Sequence, residues 1–459
     1  MIREVVTENG KVRGLPSADP RVTVFKGIPF AAPPVGENRW RAPQPCKDWE
    51  DTLLAYEFAP ISVQDQPGVG TDVYCKEWHV DPDIPMDEDC LYLNVWTPAN
   101  RTDEKLPVLV WYFGGGFQWG YTAEMEFDAE RLARRGVVVV SVNYRLALLG
   151  FLAHPELTKE NPDAPANFGL LDQQAGLHWV YRNIEAFGGD PEKITIAGQS
   201  AGGGSTMQQL TCPDNYDIVK GAVIMSGMIR IDNDSSDIFN PLTLEEAEKR
   251  GEEFFEYLGV KSLEEARKID AFKLRDLYGQ YCSADQKPGM PPDMAKRMFP
   301  IIDGKHYLGD PLQRLVDGEC PDVPIISGYT GDEFTFNGVN VVEKTVKDNV
   351  SNAVKLDREA GRNRSFYCYC FNPDIPGEDN PGTFHSVDLW FWFESLGKCW
   401  RPLRGRHFDL ARQMANYFTN FIKTGNPNGK DNDGADMPEW RKFDPEERNV
   451  ITFETDVKN

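Results

Sequence analysis

The chain has little of what metal-binding, disulfide-built, membrane-spanning or nucleic-acid-binding proteins need. Only six of its 459 residues are histidines, and its nine cysteines are an odd number with no C-x-x-C spacing among them. That distribution supports neither a zinc site nor a disulfide framework, and it fits a reduced, cytoplasmic protein. Apolar runs such as Val137 to Val140 are strand-sized, far short of the roughly 20 residues of a spanning helix. The first ten residues lack the basic and apolar segments of a secretory signal. Positive charge is also scarce: 49 Lys and Arg against 72 Asp and Glu give a formal net charge of −23. Such a surface repels phosphate backbones and anionic lipid, so neither nucleic acid nor membrane is an expected partner. Small cationic or neutral molecules remain compatible with it.

What is present is an alternation of short β-rich runs with helical patterns. Leu106 to Tyr112, Val137 to Tyr144, Ile194 to Ala197, Val219 to Ser226 and Val323 to Ser327 read as strands covered on both faces, hence mostly parallel. Ala123 to Arg135, Gly169 to Phe187 and Leu244 to Leu258 read as helices between them, and His407 to Lys423 as a final one that stops at Gly425-Asn426-Pro427. The expectation is one α/β unit over residues 1–459, a large twisted sheet flanked by helices.

The most informative run is Ile194-Thr195-Ile196-Ala197-Gly198-Gln199-Ser200-Ala201-Gly202. A buried strand leads into a serine held between two glycines, with small residues opening the next helix. A serine on such a sharp strand-to-helix turn is exposed as a nucleophile, as in α/β-hydrolases. A serine hydroxyl attacks poorly without a base. In the order nucleophile, acid, histidine, the candidate bases are His306, His385 and His407. His306 lies in a turn too early for most candidate acids, and His407 falls near the apolar face of the last helix. His385 follows the strand-like run Phe366 to Phe371 and a loop rich in Pro, Gly and Asp, which is where the base belongs. For the acid, the loop after Val323 to Ser327 offers Asp332 and Glu333, which chemistry alone does not separate. Leu109 to Phe113 runs into Gly114-Gly115-Gly116, whose N–H groups, with that of Ala201, can surround a developing oxyanion.

These motifs, with Glu88-Asp89-Cys90-Leu91-Tyr92-Leu93-Asn94, Phe25 to Ala31, Asn143-Tyr144-Arg145 and Gly169 to Gln173, give the chain a clear resemblance to the type-B carboxylesterases, the family of cholinesterases and para-nitrobenzyl esterases. The resemblance spans nearly the whole length. It implies an α/β-hydrolase fold, Ser200 as nucleophile, Glu333 as acid, His385 as base, and an oxyanion hole of Gly115, Gly116 and Ala201, with no metal or other cofactor. It also implies two buried ion pairs, Arg39 with Glu88 and Arg145 with Asp172.

Three departures from the family pattern stand out. Gln199 replaces the Glu that usually precedes the nucleophile, which weakens any preference for cationic esters. Ser62 stands where the usual partner of Cys90 is expected, leaving Cys90 free unless Cys75 substitutes. The acid and base are only 52 residues apart, which implies a reduced cap over the gorge. Phe117, Phe336, Trp390, Gln199 and Trp78 are candidate pocket residues. The expected activity is hydrolysis of small acyl or aryl esters through an acyl-enzyme. The same triad also admits an amidase or transacylase, and the family contains non-catalytic members.

Overall fold

The computed structural model describes residues 1–229, 241–284, 296–336 and 339–455. Ten strands form the central sheet: β1 (Leu15–Pro16), β2 (Thr23–Pro29), β3 (Tyr92–Thr97), β4 (Leu106–Tyr112), β5 (Val138–Val142), β6 (Gly189–Gln199), β7 (Val219–Met225), β8 (Ile325–Thr330), β9 (Phe366–Phe371) and β10 (Ile451–Phe453). Their spatial order is β10-β9-β8-β7-β6-β4-β5-β3-β2-β1. Pairings from β10 across to β5 are parallel, and the three pairings that add β3, β2 and β1 at one edge are antiparallel.

Side-chain alternation divides the interior into two layers. Along β4, Leu109 and Trp111 enter one apolar cluster while Val108, Val110 and Tyr112 enter the other. Helix α1 (Phe168–Asn183) and helix α2 (Ala201–Thr211) flank the sheet, and α3 (Leu244–Leu258) packs beyond it. Helix α4 (Val341–Ala360) lays Val342, Val346 and Val350 on one layer; α5 (Gly405–Thr424) lays Leu410, Met414, Tyr417 and Phe421 on the opposite one. Both stripes follow helical spacing.

One expected helix is largely missing. Ala123 to Arg135 contains only a 3₁₀ turn at Met125–Phe127 and a short helix at Glu130–Ala133. Local capping explains the break: Glu124 accepts from the Tyr121 N–H (3.0 Å), and the Asp128 side chain accepts from the Glu130 N–H (3.1 Å). The Asp128 carboxylate thereby takes a backbone N–H that a continuous helix would pair internally. The 3₁₀ turn also carries Glu126 and Phe127 into the interior.

The parallel strands all run toward the same end of the sheet, where the crevice for ligands in open α/β folds lies. There β4 leads to the glycine triplet, β6 to Ser200, β7 to Ser226, β8 to Glu333 and β9 to the loop bearing His385. The two ion pairs the resemblance implied are formed. Arg39 meets Glu88 at 2.6 and 2.5 Å, and Arg145 meets Asp172 at 2.8 and 2.7 Å. Cys75 and Cys90 are both free thiols, so the alternative pairing is not made.

Candidate active site

Ser200 directly follows β6 and caps α2, with φ 57° and ψ −122°. This left-handed backbone is costly for a residue with a Cβ and persists only where the surroundings impose it. The imposition comes from close packing. A Cβ on Gly198 would lie 2.2 Å from the Gly202 carbonyl oxygen, and one on Gly202 would lie 2.1 Å from that of Tyr112. Only glycine at both positions lets the turn sit this tightly on β4. The Ser200 N–H donates to the Met225 carbonyl (2.9 Å), tying the turn to β7 as well.

His385 and Glu333 meet through a 2.6 Å contact between Nδ1 and Oε2. Glu333 is fully surrounded: its Oε1 accepts from the Ser226 hydroxyl and from the Thr330 N–H (3.0 Å). Burial raises the pKa of its carboxyl, but the His385 charge and the hydrogen bonds from His385, Ser226 and Thr330 outweigh burial and hold it below the usual carboxylate range. An ionised Glu333 accepts Nδ1–H and leaves the lone pair on Nε2. That nitrogen accepts from the Gln199 amide (3.2 Å). The Phe334 ring lies over His385, with centroids 4.6 Å apart, and the Tyr74 hydroxyl donates to the His385 carbonyl (3.3 Å).

Asp332 takes no part in this contact. It is exposed, and its Oδ2 accepts from the Thr383 N–H (2.8 Å) and hydroxyl (3.0 Å), so it pins the loop that carries His385. His407 caps the start of α5 through the Arg404 N–H (2.9 Å), and the His306 carbonyl accepts from Gln208 (3.0 Å).

Gly115 and Gly116 both have positive φ, 103° and 61°. They line the same cavity as Ser200 and Ala201. A Cβ on Gly115 would lie 2.2 Å from the Trp119 carbonyl oxygen, so this loop cannot hold another residue type without moving. The cavity has a volume of about 1,110 Å³.

Of the candidate pocket residues, Phe117, Gln199 and Trp78 line this cavity. Trp390 does not. It is 1 % exposed and stands behind Trp78 with ring centroids 6.1 Å apart, its indole N–H donating to the buried Glu77 (3.3 Å). Leu389, one residue earlier on the same turn, faces the cavity instead. The Phe336 side chain lies outside the described residues.

Several residues around Glu333 and His385 had no role assigned from sequence: Ser226, Phe334, Tyr74 and Asp388. Asp388, three residues beyond His385, is completely buried. Its Oδ2 accepts from the Tyr369 hydroxyl (2.8 Å) and the Trp392 indole (3.2 Å), while Oδ1 has no donor among the described residues. Burial pushes its pKa up to about 6. The one available signal was Asp388 standing beside a run of five large apolar residues, an unusual place for a charge.

A second acidic group lines the cavity beyond Trp78. Glu124 accepts from His79 Nε2 (2.9 Å), and Glu126 is fully buried with no donor to either oxygen among the described residues. Burial first, and the neighbouring Glu124 second, push the Glu126 carboxyl well above the usual range. Among the described residues no group of three or more His, Cys, Asp or Glu is placed to hold a metal ion, and no helix is long and apolar enough to cross a membrane.

The chain is similar to known proteins over nearly its whole length. The sequence pattern of the Carboxylesterase family matches residues 2–360 and 349–459. The chain is 36% identical to the para-nitrobenzyl esterase of Bacillus subtilis (strain 168) over 500 aligned positions, covering 99% of this chain and 95% of that protein. It is 37% identical to mouse cholinesterase, over 79% of this chain and 58% of that protein, and 36% identical to the fumonisin B1 esterase of Sphingopyxis macrogoltabida, over 71% and 55%. In those two matches the chain spans little more than half of its relatives' length. A solved para-nitrobenzyl esterase structure superposes with TM-score 0.78 at 27% identity, covering 99% of this chain and 96% of that one; a Geobacillus stearothermophilus carboxylesterase gives 0.77 with the same identity and coverage. With the family pattern covering nearly every residue and the fold shared from end to end, this α/β-hydrolase belongs to the carboxylesterase family.

Proposed function

We propose that the chain is a serine carboxylic-ester hydrolase that works through an acyl-enzyme. The observation that carries this reading is the buried Glu333–His385 contact with Nδ1 as its histidine atom, beside a serine on a strained turn. His385 Nε2 takes the Ser200 proton as Oγ bonds to the ester carbon. For this the Ser200 hydroxyl displaces the Gln199 amide from Nε2, a tightening that substrate-free sites commonly leave to the bound complex. The N–H groups of Gly115, Gly116 and Ala201 receive the oxyanion. Collapse breaks the bond to the alcohol oxygen, which leaves with the proton from His385. Water then attacks the acyl-enzyme with His385 again as base, releasing the acid and restoring Ser200.

The neutral Gln199 beside the imidazole supports esters without a positive charge next to the reacting bond. The cavity volume supports acyl or aryl groups well beyond acetyl. With p-nitrophenyl acetate as probe, Ser200→Ala is expected to lower kcat by about 10⁴–10⁶-fold, as nucleophile loss does in triad enzymes. Near-full activity in that variant would remove Ser200 from the mechanism.

A further inference from the structure

The cavity leaves Ser200 in two directions. One passes His385 toward Trp78, Tyr74, Phe127 and Leu389; the other follows one face of α2, where Gly204, Met207 and Gln208 share helical spacing with Ser200. If the chain hydrolyses esters as proposed, His385 must deliver its proton to the leaving oxygen. The alcohol therefore lies on the His385 side, and the acyl group takes the α2 side.

That second lobe is mostly apolar, with Phe117, Met207, Leu312 and Phe299 among its walls. Gly204 opens a groove in it, because a Cβ there would meet only the Phe117 ring, at 3.5 Å. One polar side chain in this lobe is incompletely satisfied. Gln208 is 4 % exposed; its Nε2 donates to the His306 carbonyl (3.0 Å), which fixes the amide, and its Oε1 has no donor among the described residues. A buried acceptor left without a donor costs about 1–3 kcal/mol, so a ligand that brings a donor gains what one without it forgoes.

Helix geometry sets where that donor must sit. Eight residues at about 1.5 Å each put Gln208 roughly 12 Å along α2 from Ser200. Its side chain leans back toward the helix N-terminus, bringing Oε1 to roughly 8–10 Å from the ester carbonyl. An extended acyl chain covers that in about six to eight bonds.

We propose that this lobe is an acyl subsite for medium-length apolar chains carrying a hydrogen-bond donor at the far end, a hydroxyl or amide N–H, received by Gln208 Oε1. Gln208 is then a specificity-determining residue of the same site.

The test compares p-nitrophenyl octanoate with p-nitrophenyl 8-hydroxyoctanoate, flanked by the 4-hydroxybutanoate and 12-hydroxydodecanoate with their plain counterparts. The wild-type enzyme is expected to favour the 8-hydroxy ester about tenfold in kcat/KM over its plain counterpart, and to show no such preference at the shorter and longer lengths. In Gln208→Met this preference for the 8-hydroxy ester is expected to be lost, since the amide oxygen that receives the hydroxyl is gone. Equal rates for both octanoates in the wild type, or an unchanged ratio in Gln208→Met, would overturn the subsite. If that variant does not fold by circular dichroism, the wild-type length series decides alone. Cleavage of p-nitrophenyl acetate by the wild type, with either result, shows the ester-hydrolase reading standing independently; its absence would overturn both.

Discussion

Glu333 and Glu126 are the same residue type, both buried, and their surroundings shift their pKa values in opposite directions. Glu333 has three donors arranged around it: an imidazole, a hydroxyl and a backbone N–H. Glu126 has none among the described residues and a second carboxyl beside it. Burial penalises both as anions, so depth does not decide their charge; the donors do. The same burial thus leaves one carboxyl below the usual range, beside a histidine, and the other above it.

The sharpest way to break the contrast is to remove the charge of the first. Glu333→Gln preserves shape but cannot hold His385 in the same tautomer, and kcat is expected to fall about 10³–10⁴-fold, as when a triad acid is amidated elsewhere. Steady-state kinetics at saturating p-nitrophenyl ester check this; a loss under tenfold would mean that Glu333 does not orient His385.

Next is Asp388, whose pKa rises from 3.8 to about 6. The native state holds its proton more tightly than the unfolded chain, so stability is full below pH 3.8 and declines as pH rises through 6. A shift of about two units is on the order of 3 kcal/mol across that window. Asp388→Asn keeps an acceptor for Tyr369 and Trp392 and is expected to flatten that decline in a series of urea melts from pH 4 to pH 7. Parallel slopes for variant and wild type would contradict the buried titration.

Ser226→Ala removes one donor from the Glu333 carboxylate while leaving the Thr330 N–H and His385. A hydrogen bond to a charged group is worth about 1.5–3 kcal/mol, so kcat is expected to drop roughly tenfold or more. Glu333 should also protonate more readily, so the acid limb of the pH–rate profile moves to higher pH. A profile superimposable on wild type would separate Ser226 from the triad.

The mildest change concerns the second acid. Glu126 also carries a raised pKa, so its stability contribution is complete below the ordinary value of 4.5 and is lost as pH climbs toward its native value. Glu126→Gln is expected to remove up to about 1.4 kcal/mol per pH unit of that slope above pH 4.5, with kcat for acetate esters changing least of the four. Melting temperature against pH reads the outcome, and an undiminished slope would place the titration elsewhere.

The parts of the site legible in the sequence were those fixed by backbone rules. Gly198 and Gly202 announced the turn because a Cβ at either would clash with neighbouring backbone, and chain order left three histidines, of which the loop after Phe366–Phe371 pointed to His385. Leu106–Tyr112 and Phe366–Phe371 were legible as short continuous apolar runs, and Leu244–Leu258 because its apolar spacing is helical. What stayed hidden depends on which way neighbours point. Asp332 and Glu333 are adjacent carboxylates after one strand, and only their opposite directions separate a loop clasp from the carboxylate that meets His385. Trp390 and Leu389 present the same difficulty on a short helical turn. Chemistry suggested the indole for the pocket, while packing against Trp78 and Glu77 gave the place to leucine. The broken helix before Arg135 was masked because its carboxylates look like ordinary surface charge.

The end of β7 carries a consequence of its own. Met225 receives the N–H of Ser200, Ser226 donates its N–H to Gly328 on β8 (2.8 Å), and its hydroxyl donates to the Glu333 carboxylate. One dipeptide therefore ties the Ser200 turn to Glu333, and both of its residues are buried. Fraying of outer helices or of the antiparallel edge leaves that tie untouched. On heating, catalytic power should hold until the centre itself gives way, then vanish together with the near-ultraviolet signature of the packed tryptophans.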